Sequence, residues 1–183
     1  MNVFPMRRRG HGGVLKAVER LVSCLVANPM SEYAFFVVVV DSGPEGVLRR
    51  LRRLVRANPR LVLGIAVREI EAWWLADRRN TLAWLELERQ PDGTARYWAK
   101  GYSPERDRRP KTTLDELTLR APRLEQHYGD GNTELAREFA EDYWGKSAEL
   151  DAIAASCPRG FAPFCDATTA ALLAEKRRQS RLL

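Results

Sequence analysis

The sequence predicts an α/β fold, with a parallel-sheet core flanked by helices in its first part and a helical C-terminal half. Two observations carry that expectation. The apolar, β-branched runs YAFFVVVV and LVLGIAV are separated by an amphipathic helical pattern, and strand, helix, strand over about 35 residues is a βαβ unit with parallel strands. Beyond residue 68 the chain becomes more polar and reads as helix.

Each element follows from its own pattern. Val14, Leu15, Val18, Leu21, Val22 and Leu25 recur at helical spacing and predict a helix over 14–27, stopped by Asn28-Pro29. Tyr33 to Val40 predicts a strand buried on both faces and ending at Asp41, after which Ser42-Gly43-Pro44 turns the chain. Residues 45–57 form a basic amphipathic helix. Val47, Leu48, Leu51, Leu54 and Val55 make one stripe, and Arg49, Arg50, Arg52, Arg53 and Arg56 fill the rest. Asn58-Pro59 ends it, and Leu61 to Val67 reads as the second buried strand. Further helices are expected at 69–76, at 81–88 as a separate helix or a continuation of the preceding one, and at 112–119, 133–143, 148–155 and 161–177, with a fraying basic tail. Residues 90–111, with three prolines and two glycines, predict an irregular excursion. The expected organisation is a single domain, 1–183, whose α/β core covers about 1–77 and whose helical remainder covers about 78–183.

Composition narrows the class. At 183 residues, 45% hydrophobic and 30% charged, the chain is globular. Its longest apolar run, Tyr33 to Val40, falls far short of the roughly 20 residues that span a membrane. MNVFPMRRRGHGG has arginines but no apolar stretch behind them, so a cytoplasmic protein with no membrane partner is expected. The net charge of +6 permits a polyanionic partner. Three cysteines without a C-x-x-C pair, and two distant histidines, set aside zinc sites, disulfide frameworks and His-dependent hydrolases.

In an open parallel sheet the functional crevice lies at the carboxyl ends of the strands. Asp41 closes the first strand, and Arg68, Glu69 and Glu71 follow the second, so the three carboxylates are expected on one rim. Such an oxygen-rich edge suits a hard cation such as Mg²⁺. Equally, acids at helix starts stabilise the helix dipole by about 0.3–1 kcal/mol with no ligand at all. Arg49, Arg52, Arg53 and Arg56 offer a phosphate-facing surface or, alternatively, a solvated outer face. RRRGHGG is similar to an anion-binding loop but lacks the G-K-[ST] ending of a P-loop. Trp73 and Trp74, in a helix after a buried strand, read as core rather than as base-stacking platforms.

The segment GIAVREIEAWWLAD, Gly64 to Asp77, resembles the hallmark of a bacterial family known as domain of unknown function 4276. VVVVDSG, Pro110-Lys111 and SCPRGFAPF agree with other parts of its pattern in the same order. The family is grouped with Toprim-like proteins. The resemblance implies a compact parallel sheet flanked by helices and Mg²⁺-dependent phosphodiester chemistry on nucleic acid, with Mn²⁺ as substitute. It also implies an association with ABC-type ATPases in phage defence. On this resemblance Asp41 matches the acid ending the central strand, Glu71 with Glu69 the acid after the next strand, and Lys111 a transition-state cation. Two departures stand out. The family's leading strand with its Glu has no counterpart before the Gly-rich segment, and Asp41-Ser42-Gly43 stands where a D-x-D pair is expected. An incomplete nuclease site, an exposed sheet edge and homodimerisation are therefore expected. The alternative expectation is a non-catalytic subunit that binds an ABC-type ATPase or nucleic acid.

Overall fold

The computed structural model describes residues 10–27, 35–88, 95–121, 127–129, 133–144, 146 and 148–180. The chain is mixed α/β and mostly helical. It divides into two compact units, one of residues 1–65 with 163–183 and one of residues 66–162. The Gly64–Asp77 motif thus belongs to the second unit from Ala66 on, and the C-terminal helix belongs to the first from residue 163 on.

The first unit holds α1 (His11–Ala27), β1 (Phe36–Asp41), α2 (Glu45–Ala57) and β2 (Leu61–Ala66, to Ile65 within the unit). The strands pair as a two-stranded parallel sheet, with the Phe36 N–H donating to the Arg60 carbonyl at 2.7 Å. Pro44 leads into α2 and Glu45 sits in its first turn, where a carboxylate meets the positive end of the helix dipole. Asn58, in extended conformation, closes it by donating its N–H to the Val55 carbonyl. Val18, Leu25, Val40, Leu48, Leu51 and Leu61 form the core, so the stripe on α2 buries as its spacing predicts.

One expectation fails here. β1 is not buried on both faces: Val40 alone is buried in the strand, and Val37 is 44% exposed. A strand is sealed on every side only in the middle of a wider sheet, whereas β1 has one hydrogen-bonded neighbour among the described residues.

The second unit holds α3 (Glu71–Ala76), α4 (Arg78–Leu85), α5 (Pro110–Thr118), α6 (Thr133–Glu138) and α7 (Leu150–Ser156). α6 runs on into a π-helical turn, Phe139–Trp144, and short 3-10 turns at Ala95–Trp98 and Pro104–Arg106 mark the expected excursion. Trp73 and Trp74 are core residues, as expected. Trp73 stands edge-on to Phe161 at 5.0 Å, and Trp74 edge-on to Phe139 at 5.1 Å. α4 begins earlier than its pattern suggests because Asp77 caps it, and it stops at Glu86, whose φ of 55° is left-handed.

The last helix, α8 (Phe161–Gln179), remains helical through Lys176, Arg177 and Arg178, where fraying was expected. Both carboxylate oxygens of Glu175 accept from Arg178, at 2.9 and 2.7 Å, which ties the last turn together. The same guanidinium holds the Glu175 carboxyl below its usual range. Arg7 to Arg9 of RRRGHGG, the Asn28-Pro29 stop and Tyr33 lie outside the described residues.

Candidate functional site

Charge is distributed unevenly between the units. The first carries fifteen Lys and Arg against six Asp and Glu, a net of +9, and the second fifteen against eighteen, which together give the chain's +6. Within the first unit the arginines of α2 are the densest feature. At about 100° per residue, Arg49, Arg53 and Arg56 fall within roughly 60° of one another, opposite the buried Leu48 and Leu51. All three are exposed. Arg50 pairs with Glu19 of α1 at 2.6 Å, and Arg52 with Glu45 at 3.0 Å, leaving Arg52 42% exposed. Among the described residues, no ion pair engages Arg49, Arg53 or Arg56. Rigid helical backbone therefore presents three guanidinium groups to solvent in a single row.

The second unit gathers its acids differently. Arg68, two residues past the end of β2, is exposed and adopts a φ of 74°, in the left-handed region that costs a non-glycine residue about 1 kcal/mol or more. Glu69 Oε2 accepts the Lys111 backbone N–H at 3.0 Å, so this acid caps the first turn of α5. Glu71 is buried, and its Oε1 accepts the Tyr128 hydroxyl at 2.6 Å. Asp77 is fully buried: its oxygens accept from the Asn80 backbone and side-chain amides and from the Glu149 N–H at 3.3 Å. Burial pushes the Asp77 carboxyl above its ordinary range, against the lowering effect of those hydrogen bonds.

The expected site residues are thus placed as follows. Glu69 and Lys111 are joined through the lysine's backbone N–H. Glu71 lies two residues on, in the core beside Tyr128, and Asp41 ends β1 in the first unit, half-buried. Mg²⁺ takes near-octahedral oxygen coordination, usually from one or two carboxylates together with waters and substrate phosphates. Among the described residues, no group of three or more His, Cys, Asp or Glu side chains is arranged to hold a metal ion. As folded, Glu69 and Glu71 accept hydrogen bonds from the Lys111 backbone and the Tyr128 hydroxyl.

Two structural residues escaped the sequence reading. Glu105, 2% exposed, accepts the Arg159 and Gly160 N–H groups at 3.1 and 2.7 Å, just before α8. Its partners lie 54 and 55 residues away, so nothing local announces it. Burial first, and then the nearby Glu105 charge, push the Cys157 thiol up to about 12, which keeps it an unreactive core residue. Asp77, by contrast, had a readable signal. D-x-x-N ahead of the apolar TLAWL is a helix N-cap pattern.

The chain matches no family model, no curated protein and no solved structure.

Proposed function

We propose that the protein binds nucleic acid through the basic face of α2, as a binding subunit rather than by chemistry of its own. The observation that supports this is the exposed row Arg49, Arg53 and Arg56, on a unit with a net charge of +9. Guanidinium groups match phosphate with paired hydrogen bonds, and each phosphate neutralised releases counterions, so such a row favours a polyanion whatever its sequence. Arg52 joins the row when phosphate competes with Glu45 for it. The test is fluorescence anisotropy with a labelled 20-mer, comparing the wild type with an Arg49→Glu, Arg53→Glu, Arg56→Glu variant. A loss of affinity of at least about tenfold is expected at low salt. Unchanged binding by a folded triple variant overturns the proposal.

A second reading, Mg²⁺-dependent phosphodiester chemistry of Toprim-like type, is favoured by one observation. The left-handed backbone at Arg68 immediately precedes Glu69 and Glu71, and backbone strain of this kind collects at functional sites. In this reading Asp41, Glu69, Glu71 and Lys111 are the residues to test. Glu71→Ala is a poor choice because it also empties a buried hydrogen bond, so Asp41→Ala and Glu71→Gln are the informative variants. Metal-dependent cleavage that disappears in both supports this reading, and its absence from the wild type leaves the binding role alone.

A further inference from the structure

We infer that the nucleic acid bound is a duplex, and that α1 supplies a second row of phosphate contacts through Lys16 and Arg20. This rests on the binding role assigned to α2. On α1 the exposed residues Lys16, Arg20, Ser23 and Cys24 recur at one-turn spacing and share a face, while Ala17, Val18 and Leu25 of the same helix are buried. With Glu19, they line a shallow groove of about 580 Å³. α1 and α2 pack against each other, and packed helices have axes about 8–10 Å apart. The Arg50–Glu19 ion pair, 2.6 Å long, joins the two helices. Glu19 is thereby neutralised locally, and in this inference the cations of α1 and α2 act as two laterally offset rows.

Two features of this surface select a duplex. Two offset rows of cations engage two rows of phosphates, which only a duplex presents side by side. Moreover, proteins that grip single strands stack bases on aromatic side chains. The described sequence of α2 contains no Phe, Tyr or Trp, and neither does α1. Contacts restricted to phosphate give an affinity that ignores sequence and falls with salt.

The experiment compares a 20-base-pair DNA duplex with either of its single strands, using the wild type and a Lys16→Glu, Arg20→Glu variant. The duplex is expected to bind more tightly than either strand. The α1 variant is expected to lose about tenfold in affinity and to flatten the slope of log K against log salt by about 2. Duplex binding that the α1 variant leaves untouched overturns the second row while the α2 face still stands. A single strand that binds as tightly as the duplex overturns the choice of a duplex, and no binding to either overturns the α2 reading as well. Cys24, an exposed free thiol beside Arg20, supplies an independent readout in the wild-type protein. Saturating duplex is expected to slow its alkylation by a maleimide at least severalfold, read at the Cys24 peptide by mass spectrometry. An unchanged rate places the duplex elsewhere and overturns the inference.

Discussion

Asp77 ties three pieces of chain together at one carboxylate: the end of α3, the start of α4 through Asn80, and the Glu149 backbone ahead of α7. Replacing it with Ala strands those donors in a buried setting, and a loss of about 1–3 kcal/mol is expected in urea unfolding. Its pH dependence has a definite sign. Because burial raises the folded-state pKa above the ordinary 3.8, the folded protein binds the extra proton. Stability from this group is therefore fullest below 3.8 and declines as pH rises through the raised value. Asp77→Asn is expected to flatten that decline, and an unchanged pH profile contradicts the assignment. Glu71 and Tyr128 form a second buried pair, 57 residues apart in sequence. A double-mutant cycle on Glu71→Gln and Tyr128→Phe is expected to show a coupling of about 1–2 kcal/mol. The Asp77 cap, though missed, was open to a sequence reading because capping is local chemistry, three residues wide. The Glu71–Tyr128 contact was not, because no short-range pattern encodes a partner so far along the chain.

At the scale of elements, α2 separates stability from binding on its two faces. Leu51 is fully buried, so Leu51→Ala is expected to cost about 2–5 kcal/mol in thermal or urea unfolding, whereas Arg53→Glu is expected to leave stability almost unchanged. The reverse ranking would place the arginine face, not the leucine stripe, in the fold. The β2–α3 junction makes a different prediction. Arg68→Gly relieves a left-handed backbone and is expected to stabilise the protein by about 1 kcal/mol, seen as a higher melting temperature. Both α2 and β2 were legible from periodicity and from their Asn-Pro and Gly-Pro boundaries, since burial and turn chemistry write directly into short windows. The surroundings of β1 were not. FVVVV records apolarity without recording how many strands flank it, and Val37 is left 44% exposed. The carboxylates after β2 were found by their position at a strand end, but position alone did not show that Glu69 caps α5 and Glu71 turns into the core.

Over the whole molecule the sequence average conceals the feature that matters most. A net charge of +6 is modest, yet it divides into +9 on the first unit and −3 on the second. The basic unit joins the N-terminal α/β elements to the C-terminal helix, so a linear reading that broke the chain near residue 77 could not isolate it. Polyanion binding is accordingly expected to follow the first unit's charges and to ignore reversals of exposed arginines in the second, such as Arg79→Glu. The most direct test of this account is the affinity of wild-type protein for a DNA duplex, measured by anisotropy from about 50 to 200 mM salt. Three phosphate contacts from α2 and two from α1 predict a log–log slope of about −4.5. A slope near zero, or no binding at the lowest salt, contradicts it.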